Sequence, residues 1–324
     1  MKAWTLGEFG PHQEVLQWQD IPEPEPGPGQ VRIRIGATGI NFPDLLCIEG
    51  KYQVKPPLPF TPGMEAMGVV ETVGSDCRLL KVGDRVIGSA TVGAFAEVML
   101  LDESSSYRIP DAMTDEDAGG FLVTHQTSYF ALVHRAQLQP EEVLLVHGGA
   151  GGVGTTAIQL GKILGATVIA TAGSEEKLEI CRQCGADHVI NYETSDFVET
   201  VKQITKGRGA DVIYDPVGGE FMADLVDAAQ PCGTIVNYGN LRTEPINVPI
   251  LPMLVKRLDI KFHSLFDTMR LSQERGRGIK YVMDNVASGA LKVIVDKTFT
   301  LEEIIDAHRY IESNAQMGEI VVTA

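Results

Sequence analysis

No apolar run in this 324-residue sequence reaches the ~20 residues that a membrane-spanning helix needs. Positive charge is also scarce. Against 43 Asp and Glu stand 27 Lys and Arg, a formal net charge of −16, which argues against nucleic acid or an anionic membrane as partner, since both want a basic face. A phosphate-bearing ligand stays open, because a few local donors outweigh a distant net charge. Cysteines are few and odd in number, five in all, as suits reduced thiols in a reducing compartment. Cys181 and Cys184 form one C-x-x-C late in a helical stretch, before Gly185. Redox pairs of that spacing usually open a helix, where the dipole lowers a thiol pKa, so two packed helix-end thiols are favoured over a redox pair. Internal repeats and low-complexity segments are absent. The start, Met1 to Leu6, reads as a strand and lacks the apolar core of a signal peptide, so a cytoplasmic protein is expected.

What is present describes an ordinary globular chain, 44% hydrophobic and long enough to favour two domains. The first part reads as strands and turns. Short β-like runs at Trp4–Leu6 and Val15–Trp18 lead into Pro22-Glu23-Pro24-Glu25-Pro26-Gly27-Pro28-Gly29, which forms neither helix nor central strand. Val31–Ile35 alternates with period two, and further strands are expected at Gly68–Val73, Asp84–Gly88 and Ala94–Leu100. Several short strands punctuated by glycine point to a partly open β-barrel-like domain.

After about residue 120 the pattern becomes α/β. Apolar strands at Val143–Val146, Thr167–Thr171, His188–Asn191, Asp211–Asp215 and Gly233–Asn237 alternate with helices predicted from Gly154 to Leu164 and from Glu175 to Cys184. This order implies a parallel sheet covered on both faces. The tail is expected to hold two helices and strands at Val293–Val295 and Glu319–Val322, and to return to the first domain.

The densest motif is Gly148-Gly149-Ala150-Gly151-Gly152-Val153-Gly154, following an apolar strand and opening a helix. In that context G-x-G-x-x-G reads as a dinucleotide cradle. Gly149, Gly151, Gly152, Val153 and Gly154 let backbone N–H groups approach a pyrophosphate at the positive end of a helix dipole; a flexible loop is the lesser alternative. An NAD site usually carries Asp or Glu about 20 residues on, against the ribose 2′-hydroxyl. Here Gly173-Ser174 occupies the place, with Lys177 one turn later, a hydroxyl and a cation suited to a 2′-phosphate. NADPH is favoured, with a solvated helix lysine as the bland alternative for Lys177.

His147–Gly154 followed by Gln159, Gly39–Asp44, Pro62-Gly63-Met64-Glu65, Gly83–Val86 and Asp215–Gly219 together resemble the zeta-crystallin-like quinone oxidoreductases of the medium-chain dehydrogenase/reductase superfamily, across essentially the whole chain. The resemblance implies a GroES-like catalytic domain from 1–122 and 266–324 around a Rossmann domain at 123–265, a cleft between them, and a homodimer. Zinc members of the superfamily carry a Cys near Thr38 and Gly-His-Glu where this chain has Gly63-Met64-Glu65. A catalytic zinc needs three N, S or carboxylate ligands, so a zinc-free enzyme is expected. Its substrate must then accept hydride readily, as quinones and enones do. Asn41, Asp44 and Tyr52 match family positions lining the cleft, and Thr127 one beside the nicotinamide. Tyr52 is either a donor to the developing oxyanion or a packed aromatic. Asp44 is either a positioning group or a helix N-terminal residue. Tyr192 is placed by the resemblance near the 2′-phosphate, and Asn237 and Gly239 near the nicotinamide. Hydride transfer from NADPH to a quinone is the leading expectation. The alternatives are reduction of enones or enoyl thioesters, and a weakly catalytic NADPH-binding structural protein.

Overall fold

The computed structural model describes residues 1–241, 245–265 and 272–324. These divide into two compact units, Met1–Val123 with Val293–Ala324, and Thr124–Lys292.

The first unit is built on a seven-stranded sheet in the order Val295–Thr300, Glu319–Thr323, Gln30–Ile40, Glu65–Val73, Arg85–Ser89, Ser106–Arg108, with Val98–Asp102 also pairing to Gln30–Ile40. The long strand Gln30–Ile40 organises it. Val31, Ile33 and Ile35 are buried with Ala66, Val70, Val86, Met99 and Leu101, while the alternate residues Arg32 and Arg34 reach outward to carboxylates. Register shifts at Arg32/Ile33 and Ile35/Ala37 bend this strand. Its first half therefore pairs with Val98–Asp102 and its last residues with Ile320–Thr323. The result is a curved, partly closed sheet of the GroES-like kind.

The second unit holds six parallel strands in the order His188–Asn191, Thr167–Ala172, Val143–Val146, Ala210–Asp215, Ala229–Asn237, Asp259–Phe262. Counted along the chain, the spatial order is third, second, first, fourth, fifth, sixth, the Rossmann arrangement. Every residue of Val143–Val146 is buried, which is why that segment is apolar without alternation. The sequence reverses direction across the sheet beside this strand, and the glycine turn leaves its carboxyl end there.

Several boundaries differ from the sequence expectation. Val15 ends a short helix, His12–Val15, so the strand expected at Val15–Trp18 is Gln17–Asp20, paired antiparallel with Lys2–Thr5. The strand expected at Ala94–Leu100 is Val98–Asp102; in that stretch Trp4 N–H donates to Phe95 O and Glu97 N–H to Lys2 O, a single antiparallel bridge between Ala3 and Ala96. The helix expected from Gly154 starts at Gly152. The tail strand is Val295–Thr300, not Val293–Val295. The chain re-enters the first unit at Val293, because the helix Ser272–Ala287 belongs to the second; the expected boundary at 266 lies outside the described residues. All five cysteines are free thiols, and Cys181 and Cys184 are buried, with desolvation raising them to about 12 and about 11.

Candidate cofactor and substrate site

In the second unit the glycine turn is shaped by three different demands. Gly148 has φ 71°, a left-handed conformation that disfavours any side chain. Gly149 donates its N–H to Thr171 O at 2.8 Å, and a Cβ there would meet Ala170 Cβ and Cys181 Sγ at 3.0 Å. Gly154 lies against the turn's own backbone, where a Cβ would press on Gly148 O and come within 2.7 Å of the Gly149 carbonyl carbon. Gly151 is the opposite case, with nothing within 4 Å of a Cβ position. It caps the helix Gly152–Ile163, whose first-turn N–H groups have no partner within the helix. Packing and an anion-ready helix end thus fall on different glycines of one motif.

At the end of the second strand Ser174 caps the helix Glu175–Gln183, its Oγ accepting from Lys177 N–H at 3.3 Å. Glu175 and Glu176 occupy the first turn and favour the helix dipole, as expected. Tyr192 brings its hydroxyl to 2.9 Å of a Cβ position on Gly173, next to the Ser174 cap. The ring of His147 stands 5.7 Å from Tyr192, 5.7 Å from Phe197 and 5.1 Å from Phe221, and its Nδ1 is 2.9 Å from Thr171 Oγ1. Burial pushes the imidazole pKa down, against the raising effect of Asp215. His147 thus packs among the rings of Tyr192, Phe197 and Phe221.

Asn237 is buried, and its amide is committed within the protein. Nδ2 donates to Asp215 Oδ2 at 2.9 Å and to Asp215 O at 3.3 Å. Asp215 also accepts from Val217 N–H at 2.9 Å and Gly218 N–H at 3.0 Å, shaping the loop after its strand. Gly239 lies under that loop, where a Cβ would meet Pro216 O at 2.7 Å. Asn237 and Gly239 thus both touch the loop after Asp215. The motif Asp215–Gly219 is legible in the sequence, but the role of Asp215 is not, because an apolar strand ending in Asp carries no sign of what its carboxylate will bind. Thr127 is buried on the helix Phe121–Tyr129, and the adjacent Ser128 Oγ donates to Val153 O at 2.9 Å, tying this helix to the glycine turn.

In the first unit Asn41, Asp44 and Tyr52 come together around the helix Phe42–Ile48. Asp44 does occupy the helix N-terminal position, its Oδ2 accepting the Asn41 N–H at 2.8 Å. The side chain of Asn41 points elsewhere. Its Nδ2 donates to Glu65 Oε1 at 2.7 Å, and Glu65 Oε2 accepts Val123 N–H at 2.9 Å. Glu65 is the residue the sequence reading left without a role. It is wholly buried, and desolvation, partly offset by those hydrogen bonds, raises its pKa to about 7. Asp44 is pushed well above the carboxylate range by burial, with the Glu65 charge adding to it and the Asn41 hydrogen bond opposing. Burial raises Tyr52 from 10.0 to about 12; the phenol is protonated at neutral pH at either value. Two buried carboxyl groups thus hold Asn41, Asp44 by its backbone N–H and Glu65 by its side-chain amide. Thr38 donates its hydroxyl to Glu65 O at 2.5 Å, and Met64 is buried. Among the described residues no group of three or more His, Cys, Asp or Glu is arranged to hold a metal ion.

Comparison with known proteins agrees with this geometry. Residues 27–111 match the alcohol dehydrogenase GroES-like domain family and residues 152–275 the zinc-binding dehydrogenase family. The chain is 32% identical over 340 residues to the synaptic vesicle membrane protein VAT-1 homolog of Rattus norvegicus, covering 99% of this chain and 84% of that protein. It is 34% identical over 315 residues to a 2-haloacrylate reductase from a Burkholderia species, covering 94% of each. Among solved structures, Escherichia coli quinone oxidoreductase complexed with NADPH superposes with a TM-score of 0.94 at 31% identity, covering 100% of both chains.

Proposed function

This chain belongs to the medium-chain dehydrogenase/reductase superfamily, in its quinone oxidoreductase-like branch, and on that premise we propose that it transfers hydride from NADPH to a quinone without a metal ion. The observation that carries the reading is the division of labour in the glycine turn: Gly149 and Gly154 are packed from behind, while Gly151 leaves the helix N-terminus open to a pyrophosphate. The Ser174, Lys177 and Tyr192 positions offer a hydroxyl, a cation and a phenol for a 2′-phosphate, which would displace the Glu176 carboxylate now hydrogen-bonded to Ser174. Bound NADPH would supply the hydride; the protein's part is to hold the acceptor, exclude water and manage the proton. Tyr52 is a hydrogen-bond donor at neutral pH and Asn41 is held by Glu65, and both suit that work.

The absence of zinc from the mechanism rests on Thr38 and Met64. A hydroxyl committed to Glu65 O and a buried thioether stand where a catalytic zinc would need two of its three ligands. Without such a Lewis acid the acceptor must be reactive in itself, and a quinone is, because reduction restores an aromatic ring. The likeness to a 2-haloacrylate reductase favours a second reading, reduction of alkenes conjugated to a carboxyl or carbonyl group. We further take the protein to be cytoplasmic, where its free thiols stay reduced, and to work as a homodimer. No described helix is long and apolar enough to cross a membrane. A side-by-side assay of NADPH oxidation with 1,4-benzoquinone, simple enones and enoyl-CoA tests the assignment. Quinone turnover at the highest kcat/KM supports it, and turnover of the alkenes alone overturns the quinone assignment in favour of the second reading.

A further inference from the structure

Glu65 opens the strand Glu65–Val73 and is only 1% exposed, whereas Asn41 keeps 7%. A carboxylate so enclosed cannot reach an acceptor itself, and whatever it contributes passes through its partners. Its two oxygens answer two donors from separate segments of the first unit. Oε1 accepts from Asn41 Nδ2 at 2.7 Å, and Oε2 accepts from Val123 N–H at 2.9 Å. Val123 lies in the first turn of the helix Phe121–Tyr129, where N–H groups lack intrahelical partners and a negative group is favoured.

The surroundings are shaped for this one side chain. The Thr38 hydroxyl donates to Glu65 O and pins its main chain. The next residue is Gly39, where a Cβ would stand 2.5 Å from Glu65 Oε1 and 3.1 Å from its Cδ. Thr38 and Gly39 thus place the carboxylate that holds Asn41, two residues further along the same stretch of chain.

The bridge needs two acceptors on one side chain, and a carboxylate has them. A glutamine of the same shape offers one acceptor oxygen and one donor nitrogen, so it answers one partner and meets the other with N–H against N–H. Asn41 could relieve that conflict by turning its amide over, which would present Oδ1 to the glutamine and carry Nδ2 away. With glutamate the amide has no reason to turn. One Nδ2–H is engaged by Glu65, and the planarity of the amide then sets the direction of the second. A donor held in place before reaction stabilises charge developing on an acceptor oxygen without reorganising.

We propose that Glu65 is a positioning residue of the reduction: by bridging Asn41 and Val123 it fixes the Asn41 amide so that the second Nδ2–H donates to the acceptor oxygen. This rests on the hydride-transfer reading and holds for a quinone or an enone, because both develop negative charge on oxygen. Wild type, Glu65→Gln and the exchange variant Glu65→Gln/Asn41→Asp are compared by thermal melting, NADPH titration and NADPH oxidation with 1,4-benzoquinone and a simple enone. Glu65→Gln should melt several degrees below wild type, since one buried donor loses its acceptor. Its NADPH Kd should stay within about twofold of wild type while kcat falls on the order of 100-fold. In the exchange variant the introduced glutamine accepts from Val123 N–H and donates to the introduced aspartate. Both hydrogen bonds return with donor and acceptor reversed at position 41, and aspartate caps a helix as well as asparagine does. Its melting temperature should therefore recover, but kcat should stay low because no amide N–H remains at position 41. A Glu65→Gln protein with wild-type kcat, or an exchange variant that regains kcat along with stability, makes Glu65 merely structural and overturns the proposal. An exchange variant no more stable than Glu65→Gln overturns the bridge. If Glu65→Gln does not fold, the exchange variant decides by the same kcat criterion. A wild type that oxidises NADPH with neither acceptor overturns the hydride-transfer reading itself, and that failure shows before any substitution is made.

Discussion

Replacing Gly151 and Gly154 separately by alanine should dissociate stability from cofactor affinity, although both glycines lie in one seven-residue motif. At Gly154 the new methyl would press on Gly148 O and stand 2.7 Å from the Gly149 carbonyl carbon and 2.8 Å from its Cα, all backbone atoms of the turn itself. No side chain can rotate away, so the helix and turn must separate, an overpacking cost of about 1–3 kcal/mol. For a domain of this size each kcal/mol lowers Tm by roughly 2–4 °C, so Gly154→Ala should melt about 2–12 °C below wild type without any ligand. At Gly151 the methyl meets nothing within 4 Å, and φ of −76° suits alanine. Only the weaker capping ability of alanine counts against it, about 0.5–1 kcal/mol. That same methyl enters the open space before the helix N-terminus, so NADPH Kd should rise at least about tenfold, equivalent to roughly 1.4 kcal/mol. Thermal melts of the free proteins and fluorescence titration with NADPH measure the two quantities. A Gly151→Ala protein that binds NADPH as wild type does would refute the placement of the pyrophosphate, and a Gly154→Ala protein that melts with wild type would refute the packing argument.

Two further outcomes follow from other parts of the molecule. Lys177→Ala should weaken NADPH far more than NADH, which lacks the 2′-phosphate; equal losses in the two Kd values would contradict that assignment. His308 is buried against Phe95 and His12, and burial lowers its pKa from 6.5 to about 3. The unfolded chain therefore binds the extra proton first, and stability is lost as pH falls from about 6.5 towards 3, up to on the order of 4 kcal/mol. Glu65 has the opposite sign, raised from 4.5 to about 7, so its contribution declines as pH rises through that interval. His308→Leu should flatten the acid side of a Tm-against-pH curve; an unchanged slope between pH 4 and 6 would remove His308 as its cause.

The elements that sequence reading located well are those with a local physical signature. Val143–Val146 is apolar throughout because both its faces are covered, and the glycine turn follows it directly. Ser174 announces itself as a cap by preceding two acidic residues and a helix. Boundaries drifted where a tertiary partner decides them. Val15 and Leu16 suit a strand by propensity, yet His12 to Val15 wind into a helical turn, and pairing with Lys2–Thr5 begins only at Gln17. The helix Ser272–Ala287 was assigned to the tail because the chain order offers no sign of which core its apolar face will join.

Composition, spacing and motif by themselves determined the fold class and the lean towards NADPH, properties carried by residues adjacent in the chain or by a recurring period. Tertiary structure alone decided what the polar side chains do. Asn41 and Glu65 are 24 positions apart, Asp215 and Asn237 are 22 apart, and His147 meets Tyr192 and Phe221 from three separate segments. A buried hydrogen bond or a pKa shift depends on which groups share a desolvated volume, and that volume exists only once the sheets have formed.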